Sequence, residues 1–150
     1  MKIEGSYPLA VSQERAYGLL QDPAVLASCM PGCESLERSG ENVYAMKMKV
    51  LVSTISGRFE GKVTIADAHP FESFRMIVEG AGKIGFLRGE GAIALDGASV
   101  RYAGEVQVGG TIANVGQRLI DTTARMLIKR FFEKLAAEAK GGAGAGGAGV

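Results

Sequence analysis

The sequence predicts an α+β fold in which a seven-stranded antiparallel sheet is covered on its apolar face by a long C-terminal helix, with an apolar cavity expected between them. Three observations carry this expectation. The middle of the chain alternates apolar and polar residues almost without a break, which is the period of half-buried strands. One long stretch, from about Thr111 to Lys140, instead sets Ile112, Val115, Leu119, Met126, Leu127, Phe131 and Leu135 at three- and four-residue spacings. An antiparallel sheet with one apolar face needs a cover, and that helix is the only element long enough to supply it.

The elements follow in order. Between Lys2 and Leu9, the apolar Ile3, Tyr7 and Leu9 share one parity, interrupted at Gly5, and Pro8 marks an edge strand. Ser12 offers an N-cap to a helix from Gln13 to Leu20, and Asp22 followed by Pro23 repeats the signal for a second short helix through Val25 and Leu26. Met30-Pro31-Gly32-Cys33 ends it, and Glu34 to Arg38 reads as a weak strand. Tyr44, Met46, Met48, Val50 and Val52 then point one way while Lys47 and Lys49 point the other. Ser53 to Gly57 reads as a turn into Phe59, Val63 and Ile65, opposite Arg58, Glu60 and Lys62. His69-Pro70 makes the next turn and Phe74, Met76 and Val78 continue the pattern. Ile84 to Leu95 and Val100 to Val108 flank Asp96-Gly97, a hairpin signal.

A length of 150 residues fits one domain, here residues 1–140, followed by residues 141–150, a Gly/Ala stretch expected to behave as a flexible tail. With 47% apolar and 22% charged residues, a real core is possible. Seventeen basic against sixteen acidic residues give a net charge of +1, too little phosphate neutralisation for a nucleic-acid partner. No apolar run is long enough for a signal peptide or a membrane span, so the chain reads as cytoplasmic. Cys29 and Cys33, with His69 as the single histidine, cannot assemble a metal cluster and read as reduced structural thiols.

The chemistry-bearing patterns are sparse. Gly80-Ala81-Gly82-Lys83-Ile84-Gly85 spells G-x-G-x-x-G, but a strand follows it, not the helix that would receive a pyrophosphate. Parity sends Lys47, Lys49, Arg58, Glu60, Lys62, Arg101 and Glu105 outward, and His69 reads as a turn residue, so no catalytic residue is expected. The expected cavity is lined by Met46, Met48, Val50, Phe59, Met76, Val78, Ile112, Val115, Gly116 and Leu119. Methionines suit a surface that adapts to a flexible apolar guest, with ordinary core filling as the alternative. Ala113 and Gly116 on the helix point to a space requirement, because glycine inside a helix costs about 1 kcal/mol relative to alanine. Tyr44 and Tyr102 fall on the inward parity, where packing and the orientation of a ligand carbonyl are both open. Backbone N–H groups from Gly110 to Ala113 are further candidate donors.

The order of strand, two short helices, six strands and a long helix resembles the helix-grip fold of the START-like superfamily, which implies a seven-stranded antiparallel sheet wrapped around the helix with an apolar cavity between them. Within it the chain resembles the CoxG family associated with carbon monoxide dehydrogenase. The resemblance rests on Ile3-Glu4-Gly5, Asp22-Pro23, Met30-Pro31-Gly32-Cys33, Gly57-Arg58-Phe59-Glu60-Gly61, the glycines from Gly80 to Gly91, and Val108-Gly109-Gly110-Thr111-Ile112-Ala113-Asn114-Val115-Gly116. It spans nearly all of residues 1–140 and implies an accessory protein encoded with molybdenum-containing hydroxylases, not a redox subunit. It departs at the tail, where longer members continue past such a linker into a membrane-associating segment.

The function expected on this basis is a carrier of an apolar small molecule, with an isoprenoid quinone favoured, that links a carbon monoxide dehydrogenase-type enzyme to the respiratory membrane. A recruitment or assembly factor without ligand transport and a cyclase- or hydrolase-like enzyme are the alternatives. Between Arg118 and Lys140 six basic residues face three acidic ones. With the resemblance, Arg118, Arg125, Lys129 and Arg130 suggest contact with anionic lipid or an acidic enzyme surface, hence a cytoplasmic protein held peripherally at the inner face of the membrane.

Overall fold

A computed structural model describes residues 1–52 and 55–141. The strands are β1 (Lys2–Pro8), β2 (Cys33–Gly40), β3 (Val43–Val52), β4 (Ile55–His69), β5 (Ser73–Gly82), β6 (Gly85–Asp96) and β7 (Ser99–Gly109). They form one seven-stranded sheet in the order β1-β7-β6-β5-β4-β3-β2, antiparallel at every pairing. Helices α1 (Gln13–Gln21) and α2 (Pro23–Cys29) carry the chain from one edge strand to the other, and α3 (Gln117–Gly141) follows β7 after a short 3-10 turn, Thr111–Val115.

Local chemistry accounts for the boundaries. The Ser12 side chain accepts the Arg15 N–H at 3.1 Å and the Asp22 carboxylate accepts the Ala24 N–H at 2.9 Å, so both short helices start on capped N–H groups. Pro23 fills the first position of α2, where no N–H is needed. Pro8 closes β1 at the sheet edge, where a missing donor does no harm. His69 ends β4, and its carbonyl accepts the Glu72 N–H at 2.9 Å, a turn role. In the Gly-rich hairpin, Gly82 pairs with Gly85 and the chain runs on as β6, so no helix N-terminus stands there to hold a nucleotide.

The alternation is real across the sheet. Tyr44, Met46, Val50, Phe59, Val63, Ile65 and Phe74 are buried, while Lys47, Lys49, Arg58, Glu60, Lys62, Arg101 and Glu105 are turned outward on the opposite parity. The inner face meets α3, whose buried residues are Ile120, Thr123, Phe132, Leu135 and Ala139. Arg15 of α1 donates to the Ala139 carbonyl at 3.2 Å and ties α1 to the last turns of α3.

Three expectations need correction. The helix expected from Thr111 is broken: Gly116 has φ +99°, which no α-helix tolerates, and it separates the 3-10 turn from α3. A Cβ at Gly116 would meet nothing within 4 Å, and Ala113 is exposed. The glycine there serves backbone geometry and not a demand for space. In the expected Ser53 to Gly57 turn, Ser56 and Gly57 already belong to β4, and Val52 pairs with Ile55; Ser53 and Thr54 lie outside the described residues. Gly141 closes α3, and the remainder of the expected flexible tail, residues 142–150, also lies outside them.

Candidate ligand-binding site

Buried apolar residues fall into two clusters. The larger joins Leu20, Val25, Tyr44, Met46, Phe74, Leu95, Val100 and Leu135 beneath α1 and α2. The smaller joins Val50, Ile55, Phe59 and Ile112, with Ile84, Leu87, Val108, Val115 and Leu119 packed against it, at the end of the sheet bearing the β3–β4 and β5–β6 connections. Between them lies a cavity of about 350 Å³, bounded by strands on one side and by Ile120, Thr123, Ala124, Leu127, Ile128 and Phe131 of α3 on the other. That volume is at the small end of the ~300–1,000 Å³ typical of small-molecule pockets.

The cavity has a cause in the sequence. On β6 and β7 the inward parity carries Gly89, Gly91 and Gly104, and register places Gly91 opposite Gly104 and Gly89 opposite Val106. Bare backbone therefore forms that wall, and Glu90 and Glu105 border the space between these glycines. A Cβ at Gly104 is forbidden by the Glu90 carbonyl, but one at Gly89 would sit 3.8 Å from Val106, an ordinary contact. Gly89 is thus not needed for backbone packing; its effect is to leave room.

Of the residues expected to line the cavity, the structure brings seven to it: Met48, Val50, Phe59, Met76, Val78, Tyr102 and Ile112. Five stand elsewhere. Tyr44 and Met46 are packed into the larger cluster, because the strand segment that carries them has already passed under α1 and α2. Val115 and Leu119 pack on the smaller cluster, and Gly116 is exposed; the break at Gly116 sets this segment at the end of the cavity. Met30, at the turn that ends α2, also lines it.

The expected hydrogen-bond donors are redistributed. The Tyr102 ring stacks on Phe132 with centroids 5.2 Å apart, and a Cβ on Gly5 would come within 2.6 Å of the Tyr102 hydroxyl. That hydroxyl therefore sits against β1 at the sheet edge. The Ile112 N–H is engaged by the Ile84 carbonyl at 2.6 Å and the Ala113 N–H by the Gly110 carbonyl at 3.1 Å, so neither can serve a guest. The polar group that sequence reasoning missed is Thr123, whose buried Oγ1 has no hydrogen-bond partner. Its signal was available: a threonine three residues after Ile120 and four before Leu127, on the buried stripe of the helix.

The surrounding charges are arranged on the outside. Arg75 and Arg88 both donate to the Glu90 carboxylate, Arg88 at 3.0 Å, and hold that carboxyl below its ordinary range. Arg118, Lys129 and Arg130 of α3 are exposed, whereas Arg125 is paired with Asp121 at 3.1 Å. Both cysteines are free, and burial pushes each thiol up, against the opposing hydrogen bonds to Ser28 and to the Ser35 carbonyl. Neither is a ready thiolate. Among the described residues no cluster of three His, Cys, Asp or Glu side chains could hold a metal ion, and no helix is long and apolar enough to cross a membrane.

The architecture is shared with solved structures. A conserved protein from Geobacillus kaustophilus superposes with a TM-score of 0.91 at 30% identity, covering 95% of this chain and 97% of that one. A START superfamily protein from Mycobacterium smegmatis gives 0.66 at 13% identity, covering 93% and 97%. The Zhui aromatase/cyclase from Streptomyces gives 0.66 at 14% identity, covering 100% and 99%. The last two speak for a START-like fold alone. No curated protein matches the sequence. Residues 5–140 match CoxG, a family of carbon monoxide dehydrogenase subunits. With nearly the whole domain matched, the Pro-Gly-Cys turn and the Gly-Gly entry to the 3-10 turn included, the chain belongs to the CoxG family.

Proposed function

We propose that this protein binds an apolar ligand in the cavity between sheet and α3 and serves, without catalysing a reaction itself, as an accessory to a carbon monoxide dehydrogenase-type molybdenum hydroxylase. The observation that carries the reading is the cavity itself: a domain of this size gains stability by filling its interior, yet this one keeps an apolar space walled by three glycines. An isoprenoid quinone is the favoured guest. Its ring and the first part of its tail suit a sleeve of Met48, Val50, Met76, Val78 and Val108, and burial of its carbons at roughly 25 cal/mol per Å² offsets its removal from lipid. Bound quinone would connect a cytoplasmic dehydrogenase to the respiratory membrane, with exposed Arg118, Lys129 and Arg130 facing anionic lipid or an acidic enzyme surface.

A cyclase-like activity is the second reading, raised by the fold shared with an aromatase/cyclase. It lacks a suited acid or base here: the Glu90 carboxylate is held by Arg75 and Arg88, and the sheet's inner face presents aliphatic and aromatic side chains. Organic extraction of the purified protein followed by mass spectrometry tests the proposal. A co-purifying quinone is the expected result, and a short-tailed quinone should then raise the thermal midpoint more than a matched fatty acid does, as native-state binding requires. Lipid alone would keep a carrier and dismiss the quinone. An empty extract with no thermal shift would leave recruitment, for which binding to anionic vesicles that weakens with salt is the sign.

A further inference from the structure

We infer that the end of the sheet bearing the β3–β4 and β5–β6 connections is a lipid-docking tip, which dips Leu51 and Phe86 into the headgroup layer of an anionic bilayer while Lys49, Lys83 and Arg118 meet its phosphates. The inference rests on the carrier reading above and gives it an orientation. Three connections meet at this end. Val52 pairs with Ile55, Gly82 pairs with Gly85, and the turn after β7 is tied in by the Ile112 N–H on the Ile84 carbonyl. A Cβ on Gly57 would meet Ile84 at 2.9 Å, so the start of β4 lies against the β5–β6 connection.

Two independent observations converge there. The large apolar side chains exposed among the described residues are Leu51 at 68%, Phe86 at 52% and Phe71 at 49%. Phe71 stands at the opposite end and is met edge-on by Tyr17, centroids 5.8 Å apart, whereas Leu51 and Phe86 share this end, Phe86 resting on the bare backbone of Gly109. A single exposed leucine is ordinary; the second observation is charge of one sign. Residues 49–59, 80–89 and 106–120, which build this end, contain Lys49, Arg58, Lys83, Arg88 and Arg118 and no Asp or Glu. The turns at the opposite end carry Glu41, Glu72 and Asp96. Arg58 is paired with Glu34, and Arg88 with Glu79 and Glu90. Lys49, Lys83 and Arg118 are exposed and enter no salt bridge among the described residues.

Apolar side chains on separate loops, set among free cations, suit a fluid and negatively charged surface: the side chains enter the headgroup region and each nearby cation adds attraction. An acidic protein surface would answer the charge but would need a fitted pocket for each protruding side chain. Behind the tip, Val50, Ile55, Leu87 and Ile112 line the cavity, so docking here turns that end of the cavity toward the acyl layer. Lys129 and Arg130 lie roughly 16 Å farther along α3 than Arg118 and are not part of the tip.

The chain contains no tryptophan, so Phe86→Trp supplies one reporter at the tip and Phe71→Trp one at the opposite end. Each full-length variant is titrated at low ionic strength with vesicles of mixed phosphatidylcholine and phosphatidylglycerol, and with phosphatidylcholine alone. The tip reporter should shift to the blue with the mixed vesicles and lose the shift as salt is raised, while the other stays unmoved. In sedimentation, Lys83→Glu should weaken binding roughly tenfold and Phe86→Ser roughly fivefold, with Lys129→Glu within about twofold of the parent. These side chains are exposed, so thermal midpoints should stay at the parent's. Phe86→Ser should still bind an apolar fluorophore in solution as the parent does, because Phe86 has the parity opposite to the cavity-lining Leu87. A larger loss from Lys129→Glu than from Lys83→Glu, a shift of the Phe71→Trp reporter alone, or no vesicle binding by the unaltered protein would overturn the tip. A tip reporter that answered only to a carbon monoxide dehydrogenase-type enzyme would overturn it too, and assign the surface to that enzyme. None of these outcomes touches the cavity, which falls as a ligand site only if the fluorophore fails to bind the unaltered protein.

Discussion

Beneath α1 and α2 the inward positions carry Phe74, Val100 and Leu135, which are shut off from solvent and fill the space between sheet and helix. Toward the β5–β6 hairpin the same alternation and the same pairing register leave a cavity. The backbone rules are identical in the two halves; what differs is the volume placed at inward positions. On β5 to β7 the packed half fills those positions with Phe74, Leu95 and Val100, and the cavity half with Gly89, Gly91 and Gly104. Cavity and core are thus two settings of one architecture, chosen by a few side chains.

The largest expected contrast is in stability. Phe74→Ala removes a ring that meets Tyr17 edge-on with centroids 5.9 Å apart, inside a region with no room to relax, and should cost about 3–5 kcal/mol. Val108→Ala borders space that already exists and should cost about 1 kcal/mol or less. Urea unfolding of the two variants reads the difference. Comparable losses would mean that the cavity half is as tightly packed as the other and that the distinction is false.

A smaller effect tests what keeps the cavity open. Gly89→Leu sends a side chain into the space from a position whose Cβ makes only ordinary contacts. It should weaken binding of an apolar fluorophore tenfold or more, with stability held or raised by the added burial. Gly116→Phe, by contrast, should leave binding unchanged, since nothing lies within 4 Å of that position. It should still cost roughly 1–2 kcal/mol, because φ +99° is hostile to a side chain. Reversed outcomes in the fluorophore titration would return the site to the helix entry.

The contrast also marks how far the sequence could be read. The seven strands, both short helices and their caps follow from periods and cap residues that act locally, and those survive in the structure. The cavity's position depends on which strand segments pass beneath α1 and α2, a long-range matter that parity cannot express. Hence Met46 and Met48, two residues apart on one face, go to the core and to the cavity respectively. Gly116 misled because helical spacing continues through it while its backbone does not. Thr123 was visible as a polar residue in an apolar stripe, but only the structure shows that its buried Oγ1 has no hydrogen-bond partner.

The smallest effect concerns the outer side of the cavity wall. Between Gly89 and Gly91 the wall is one backbone thick, and Glu90, bridged by Arg75 and Arg88, braces it from outside. These hydrogen bonds lower the Glu90 pKa from an ordinary 4.5. A folded pKa below the unfolded one means that the unfolded chain binds the proton more readily. The bridge's contribution is therefore fully present above about pH 4.5 and is lost as pH falls through the lower folded value. Glu90→Gln keeps the shape and removes the charge. The stability gap between parent and variant should be widest near neutral pH, shrink in acid and shrink in salt, as for any exposed bridge. Hydrogen exchange should quicken at β6 in Glu90→Gln and stay unchanged at β2 and α1. A gap that is flat with pH, or exchange that quickens equally in both halves, would show that the charged ladder is surface decoration and that the glycine-thinned wall stands without it.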